Sequence, residues 1–322
     1  MYLLLAFLAL LTERVIGYPD WLYRLIGHPV TWIGGLISVL DRRWNREIDD
    51  PERRKHWGIV SLLVLLSITI TASLLIENIL LVFPFGLLLL VLAASSLPAQ
   101  KSLENHVEAV AAALEAGGIQ SGRNAVSMIV GRDPDELDEA AVCRAAIESL
   151  AENFSDGIVA PAFWLGVGGL AGGAAYKAAN TADSMIGHRS PRHQAFGWAA
   201  ARFDDLINLP ASRLSGALFV AAAALVPGTS PLNALAAIRR DARHHRSPNA
   251  GWPEAAMAGA LGIALAGPRS YGGQMIEARF MGEGGRANLT SEDIRRALKL
   301  ARVADGLLIT FFGLGAFIIS QV

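Results

Sequence analysis

The sequence is poor in charge and nearly free of cysteine. Only 18% of its 322 residues are charged and 52% are hydrophobic, whereas a soluble domain has about 25% charged residues. The single cysteine, Cys143, excludes an intramolecular disulfide and a Cys-x-x-Cys metal site. A net charge of −1 leaves no basic excess of the kind that binds nucleic acid. These shortages exclude nucleic acid as a partner and favour a protein of the lipid bilayer.

Two uncharged runs are long enough to cross a bilayer, which takes about 20 apolar residues. They cover 58–76 and 79–99, with Glu77 between them, and predict a helical hairpin. Pro84 and Gly86 lie inside the second run, where we expect a kink. Two further spans are predicted at residues 1–16 and 304–321. The depth of three runs rich in Ala and Gly stays open: 157–176, 214–238 and 255–268.

Within the run 157–176, the five glycines from Gly166 to Gly173 suit close helix packing or a re-entrant segment that lines a cavity better than they suit a lipid-facing surface.

Basic residues are concentrated before the first clear run. None of the 28 Lys and Arg residues lies inside the two clear runs, and seven fall between residue 24 and the start of the first: Arg24, Arg42, Arg43, Arg46, Arg53, Arg54 and Lys55. The positive-inside tendency places that segment in the cytoplasm, and the hairpin would return 101–156 to the same side. We therefore predict an all-α, polytopic integral membrane protein of the cell membrane. It would form a single membrane domain, 1–322, whose helical loops face the cytoplasm.

The polar block 103–153 has helical periodicity with two predicted breaks. The first is at 116–118, where two glycines follow an alanine, and the second is near Gly131. Asp133 followed by Pro134 is typical of an N-cap with proline at the first helical position, which predicts a helix from there to about Asn153.

This predicted helix places Arg144, Glu148 and Glu152 on one face at successive four-residue spacing. A solvated face with an Arg–Glu pair would explain them. The alternative is a functional site, because Glu152 and Asp156 crowd the mouth of an apolar segment, where polar groups are costly.

A second polar block begins at Lys177. On a helix, Asn180, Thr181 and Ser184 share its face, and Asp183 projects beside it. Such residues compete with the backbone for hydrogen bonds and are poor helix formers, so either a buried hydrogen-bond network or a site would explain them. A further acidic pair follows in the string that contains Arg202, Asp204 and Asp205.

Six groups of residues, in order along nearly the whole chain, carry a family resemblance: His28-Pro29-Val30; 125–133; Glu148 to Asn153 with Ser155-Asp156-Gly157; Lys177 with Asn180-Thr181 and Asp183-Ser184-Met185; Arg202 with Asp204-Asp205; and 247–255. Together they resemble the CobD/CbiB family of cobalamin biosynthesis. The departures, such as Phe154 and His188, are conservative.

The resemblance implies an integral membrane enzyme that joins adenosylcobyric acid, a corrinoid, to aminopropanol phosphate or ethanolamine phosphate. Its product would be adenosylcobinamide phosphate. The resemblance also implies ATP and magnesium, although the sequence contains no Gly-x-x-x-x-Gly-Lys-Ser/Thr nucleotide motif. The expected partners are these small molecules and the lipid bilayer, with a homo-oligomer left open.

The matching strings also suggest roles for individual residues. Catalytic roles are expected for Glu148, Glu152, Asp156, Lys177, Asp183, Asp204 and Asp205. Magnesium ligands are expected among Glu148, Glu152, Asp156 and Asp183, because carboxylate oxygens suit a hard cation. Substrate contacts are expected from His28, Arg123, Arg132, Asn153, Asn180, Thr181, Ser184, Arg202 and Asn249. The cationic members, with Lys177, are candidates for phosphate groups.

Asp204 or Asp205 would act as a base or hold Arg202 in place. We expect the site where Glu148 to Asp156 meets Lys177 to Ser184.

Two other functions fit parts of the pattern. A corrinoid-binding or transporting membrane component would also have apolar segments interrupted by glycine and carboxylates at the membrane edge. A regulatory relative that keeps the scaffold without the activity is the third alternative. The enzyme is favoured over transport because the charges lie in loops, and over a regulatory relative because the polar strings are retained.

Overall fold

The computed structural model describes residues 1–130, 135–188, 190–267, 269–271, 274–276 and 279–321. These residues form helices and four short strands. The helices are α1 (Tyr2–Ile16), α2 (Asp20–Ile26), α3 (Pro29–Trp44), α4 (Pro51–Leu81), α5 (Gly86–Ala94), α6 (Gln100–Val126), α7 (Glu139–Phe154), α8 (Ala160–Ile186), α9 (Trp198–Ile207), α10 (Leu209–Ala223), α11 (Pro231–Asp241), α12 (Gly251–Leu261) and α13 (Ser291–Ser320). A π-helical turn, Ser155–Val159, joins α7 to α8. The predicted all-α class is confirmed.

The strands are β1 (Leu265–Ala266), β2 (Arg269–Tyr271), β3 (Gln274–Ile276) and β4 (Phe280–Met281). β1 pairs with β4 and β2 with β3, both antiparallel.

The chain divides into two compact units. Unit 1 contains Met1–Ala99, Ala160–Asn208 and Phe311–Val322, and unit 2 contains Gln100–Val159 and Leu209–Thr310. The prediction of a single membrane domain stays a prediction.

The core of unit 1 lies where α3, α4, α8 and α9 meet. Ala178 and Ala182 of α8 are buried there against Ile37 of α3 and Leu65 of α4. Their four-residue spacing puts both alanines on one face of α8, and their small side chains let the helices approach closely. The polar residues of this part of α8 therefore lie on its other faces.

A break in α8 is the second feature of unit 1. Gly168 and Gly169 leave helical geometry, with φ of +61° at Gly169. The carboxylate of Glu77 on α4, which is only 5% exposed, accepts the N–H of Leu170 at 3.1 Å. A backbone donor that the break would leave unpaired is thus satisfied. A Cβ on Gly173 would lie within 3 Å of the Leu165 side chain, so glycine does permit close packing here, as predicted.

The structure corrects the second clear run. Residues 79–99 are not one helix, because α4 continues to Leu81 and α5 begins at Gly86 and has only nine residues. Pro84 lies in the turn between them, where it cannot continue the hydrogen bonding of α4. A Cβ on Gly86 would lie 1.7 Å from the carbonyl oxygen of Leu80. The expected kink is therefore a complete helix break.

Among the residues that the structure describes, three helices are long and apolar enough to cross a membrane: Pro51–Leu81, the helical stretch Glu139–Ile186, and Ser291–Ser320. The number rises to five if two bent pairs each form one span, Tyr2–Ile16 with Trp21–Trp44 and Trp198–Ile207 with Leu209–Ala223. Only 22% of the apolar window of α4 is buried, and Leu63, Leu75 and Ile79 are exposed. Exposed apolar surface of this extent is typical of contact with lipid.

The run 58–76 lies within the first of these helices, and the run 304–321 lies within the last except for its final residue. The run 1–16 corresponds to α1, which passes the same test only as part of its bent pair. The cytoplasmic orientation of the loops stays a prediction.

The other two uncertain runs are interrupted. Residues 214–238 are divided between α10 and α11, and residues 255–268 leave the helix at Gly262, a left-handed C-cap with φ of +67°.

The breaks predicted in the block 103–153 are partly confirmed. Gly118 leaves helical geometry within α6, as expected for the first break. The helix predicted from Pro134 begins instead at Glu139, because the side chain of Asp138 accepts the N–H of Ala141 at 2.7 Å and caps it. The second break, predicted near Gly131, and the predicted cap at Asp133 lie outside the described residues.

In unit 2, α12 is enclosed by its neighbours α10 and α11. Asp241, at the end of α11, is 1% exposed. Its carboxylate accepts two bonds from Arg240 and the N–H groups of Gly282 and Glu283 just beyond β4. Burial alone would raise the pKa of Asp241, but these hydrogen bonds outweigh it and hold the pKa below its usual value. Asp241 thus fastens the loop after β4 to α11.

We expect Asp241→Asn to cost about 2–3 kcal/mol of unfolding free energy at pH 7, because its amide cannot accept all of these bonds. Since the folded-state pKa is lowered, this stabilisation is present above the unfolded-state pKa of about 3.9 and fades as the pH falls below it. Unfolding of the purified protein followed between pH 7 and pH 3 would measure both effects. The matched control is Glu283→Gln, since that side chain is 73% exposed, and it should change stability by less than about 0.5 kcal/mol. An equal loss in both variants would contradict the assignment.

We expect Gly169→Ala to destabilise unit 1 by about 1–3 kcal/mol. A Cβ there would require a strained φ and would lie 2.7 Å from the Tyr2 ring and 2.9 Å from Glu77 Oε2. Gly168→Ala is the control, because its φ is −127° and no atom lies within 4 Å of the added Cβ. Thermal unfolding of both variants in detergent measures the difference, and a break without structural importance would leave the two midpoints equal.

Candidate active site

The C-terminal half of α8 carries five of the predicted site residues in unit 1. Ala178 and Ala182 turn into the core, so Lys177, Asn180 and Asp183 lie half-buried along the rest of the helix, and Ser184 is exposed. Thr181 is buried, and its hydroxyl donates to the carbonyl of Lys177 at 2.7 Å. This bond within the helix gives Thr181 a structural role.

Asp204 on α9 is the buried carboxylate of this region, at 8% exposure. One oxygen accepts from the Asn180 side chain at 3.3 Å and the other from Asn208 at 2.9 Å. The Tyr176 hydroxyl donates to Asn208 Oδ1 at 2.9 Å and so fixes which end of that amide faces Asp204. A hydrogen-bonded chain from Tyr176 to Asn180 therefore positions Asp204.

Sequence reasoning missed Tyr176 and Asn208. The only available signal was a second asparagine four residues after Asp204, at the spacing of one helical turn.

Three carboxylates gather in this part of unit 1. The charge of Asp183 acts on Asp204, and that of Asp205 acts on Asp183. Arg202 forms an ion pair with Asp205 at 3.2 Å, and its side chain stays 54% exposed. The exposed guanidinium retains donors that face solvent, so it can contact an anion while Asp205 holds it.

His28 lies at the N-terminus of α3, and the structure brings it within the electrostatic reach of Lys177. The His28 ring accepts the N–H of Val30 at 3.2 Å, and Thr31 completes a capping box with it. This cap fixes the ring, so His28 has a structural role at the start of α3. Its predicted contact with substrate stays a prediction.

The predicted residues of unit 2 have their own surroundings. Glu148 is 6% exposed and accepts the N–H of Ala266 in β1 at 2.8 Å. Asn153 donates to the carbonyl of Ser149 at 2.9 Å, and Arg123 donates to the carbonyl of Leu137 at 2.9 Å. These bonds hold local backbone, and the roles predicted for the three residues stay predictions.

Glu152 is exposed, and Asp156 is half-buried within the π-helical turn. Such turns are frequent at functional sites, which is compatible with the predicted catalytic role of Asp156.

Asn249 is 5% exposed and accepts from Ser212 at 3.1 Å and from Arg213 at 2.9 Å. The Arg213 guanidinium lies 4.7 Å from the centre of the Trp252 ring. Sequence reasoning overlooked this pair, because a cation and an aromatic residue 39 positions apart give no local pattern. Asn249 is thus part of a polar cluster that holds Arg213.

The predicted meeting of Glu148–Asp156 with Lys177–Ser184 joins residues of different units and stays a prediction. Arg132 lies outside the described residues. Among the residues with described positions, no group of three or more His, Cys, Asp or Glu side chains is arranged to hold a metal ion. The four magnesium ligands expected from the sequence also stay a prediction.

Comparison with known proteins supplies the family. The family model for CobD/Cbib protein matches residues 6–301. A cobalamin biosynthesis protein CobD of Sinorhizobium sp is 55% identical over 294 residues, which cover 91% of each chain. The CobD protein of Rhizobium meliloti strain 1021 is 50% identical over 316 residues, 98% of this chain and 97% of the relative. That of Brucella suis biovar 1 is 48% identical over 320 residues, 97% of each. No solved structure matches. With a family match over nearly its whole length and relatives this similar, the chain belongs to the CobD/CbiB family.

Proposed function

We propose that this chain is an adenosylcobinamide-phosphate synthase, an enzyme of cobalamin biosynthesis in the cell membrane. It would form an amide bond between a carboxylate of adenosylcobyric acid and the amine of aminopropanol phosphate or ethanolamine phosphate. Family membership and the relatives' shared name, cobalamin biosynthesis protein, support the pathway. The arrangement of charged side chains in unit 1 supports the chemistry.

The observation that carries the proposal is the juxtaposition of cations and carboxylates around the end of α8. Lys177 supplies a positive charge close enough to act on His28. Asp183 supplies negative charge together with Asp204 and Asp205. An amino-alcohol phosphate has the complementary pattern, with an anionic phosphate at one end and an ammonium group at the other. We propose that Lys177 and Arg202 bind the phosphate and that Asp204 receives the ammonium.

Amide formation requires the ammonium group to lose a proton before its nitrogen can attack. We propose Asp204 as the proton acceptor, because Asn180 and Asn208 hold its two oxygens in place. A carbon–nitrogen bond forms as the nitrogen attacks the activated carboxyl carbon. The carbon–oxygen bond then breaks, and the oxygen leaves with the phosphoryl group that ATP supplied.

Magnesium fits one part of this site. Such ions are commonly held by one or two carboxylates together with substrate phosphates. Asp183 and Asp205 would hold it, because a divalent cation would offset the repulsion between their charges. Bound there, it would neutralise phosphate charge.

The reaction can be tested with purified protein in detergent given adenosylcobyric acid, aminopropanol phosphate, ATP and magnesium, with the product identified by mass spectrometry. We expect adenosylcobinamide phosphate to form and to require ATP. Folded protein that forms no product with either amino-alcohol phosphate would contradict the proposed function.

We expect Lys177→Met to lower kcat/KM about 100-fold, because a charge-assisted contact to phosphate is lost, and Lys177→Arg to recover part of it. Asp204→Asn should lower kcat about 100-fold with a smaller change in KM, because the proton acceptor is lost while binding groups remain. Arg53→Gln is the control, since Arg53 is 63% exposed and pairs only with nearby Asp49 among its described ion pairs. Its rates should stay within about twofold of wild type. Normal turnover in both site variants would contradict the assignment of the active site to these residues, without contradicting the proposed function.

A second candidate function is corrinoid transport, which the break in α8 favours. Interrupted membrane helices with a buried carboxylate at the break, as at Glu77, are typical of transporters. Uptake of corrinoid by sealed vesicles containing the protein, without product formation, would support transport over synthesis.

A further inference from the structure

Unit 1 contains a polar cavity that none of the predicted site residues lines. Its volume is about 340 Å³, and it lies between the first turn of α4 and the segment that leads into α9. The side chains that matter for its chemistry are Glu52, Arg54, Lys55, Gln194 and Trp198.

Lys55 forms one wall of this cavity with Trp198. The ammonium nitrogen lies 4.2 Å from the centre of the indole ring, and the lysine side chain is half-buried. A cation on an aromatic face loses part of its freedom, while its remaining N–H donors stay available for an anion. The wall is therefore both cationic and ordered.

Arg54 supplies the second cation. It donates to the side-chain oxygen of Asn45 at 2.8 Å and to the carbonyl of Arg192. Both acceptors are neutral, so these bonds orient the guanidinium without cancelling its charge. Within the described part of the chain, no carboxylate forms an ion pair with Arg54 or Lys55.

The neighbouring Arg192 has the opposite arrangement. It pairs with Asp41 at 2.8 Å and Glu47 at 3.3 Å, and the hydrogen bond to Asp41 raises the pKa of its guanidinium above the usual value. Arg192, which joins segments of unit 1, therefore has its charge balanced by two carboxylates. In the cavity, two cations face one exposed carboxylate, Glu52, which leaves an excess of one positive charge.

The position of the cavity along α4 also matters. The charged residues 52–55 lie at the start of α4, and the uncharged stretch 58–76 follows within one turn. Tryptophan and lysine are enriched at the level of lipid headgroups, and Trp198 is 43% exposed. In a membrane-spanning α4 the cavity would open at headgroup depth.

We propose that this cavity binds a phosphate group. Lys55 and Arg54 would form charge-assisted bonds to the phosphate oxygens, the Gln194 amide would add a neutral donor, and the Trp198 ring would cover the carbon chain attached to the phosphate. Phosphate of this kind has two sources, an anionic phospholipid headgroup and a soluble phosphate ester.

The probes are dioctanoyl phosphatidylglycerol, dioctanoyl phosphatidylcholine and inorganic phosphate, titrated separately into the full-length protein in a neutral detergent, with calorimetry as the readout. We expect saturable binding of at least one of the two anionic probes and weaker binding of phosphatidylcholine, whose choline group brings a positive charge. Lys55→Gln should weaken the binding about tenfold, and Lys55→Arg should restore most of it.

Arg53→Gln is the matched control, because it removes one positive charge from the same turn of α4 at a side chain that does not line the cavity. Its affinity should stay within twofold of wild type. Unchanged elution volume and unfolding midpoint establish that each variant is folded.

The two anionic probes separate the sources. Binding of phosphatidylglycerol alone supports a lipid headgroup, binding of inorganic phosphate alone supports a soluble phosphate ester, and competition between the two supports a site that accepts both. Absence of binding by both probes, or equal losses in Lys55→Gln and Arg53→Gln, overturns the proposal. Because no turnover is measured, this result is independent of the proposed synthase activity.

Discussion

Small side chains let α8 lie close to α3 and α4 in unit 1, and the placement of the candidate active site depends on this contact. Ala178 and Ala182 bring the helix against Ile37 and Leu65 with little volume between them. Because these two alanines fix the rotation of α8 about its axis, the positions of its polar residues are fixed too. Lys177, Asn180 and Asp183 are then held on the faces that the core leaves open.

The electrostatics of the site follow from the same contact. Asp204 is buried beside α8, and a buried carboxylate is costly unless donors surround it. Asn180 and Asn208 supply these donors, and Tyr176 orients Asn208. Through Asn180, the polar face of α8 therefore takes part in a buried hydrogen-bond network, which the sequence offered as one explanation, and the carboxylate that this network holds is Asp204. The structural and functional explanations of these residues are compatible.

Several acids and amides that the sequence marked as site residues also fix backbone. Glu148 holds the N–H of Ala266, and Asn153 bonds back to Ser149 within one turn. Asp241, which the sequence gave no reason to select, is a further anchor in unit 2, and its carboxylate accepts bonds from Arg240, Gly282 and Glu283. A sequence does not distinguish a carboxylate that accepts peptide N–H groups from one that takes part in catalysis. Both are Asp or Glu residues in a stretch that is otherwise apolar.

The sequence by itself determined the all-α class, the long apolar helices and the family, since each rests on composition, on run length or on strings of adjacent residues. It also located the polar face of α8 and the break at Gly118, because helical spacing and glycine act locally. Tertiary structure alone decided that Glu77 caps a broken helix, that Asn208 and Tyr176 hold Asp204, and that Lys55 lies on Trp198. Apart from Asp204 and Asn208, which are one helical turn apart, these pairs are separated by 32 to 143 residues, and no local pattern links them. Their partners are chosen by which helices pack together, and that choice is made by side-chain volume and burial across the whole unit.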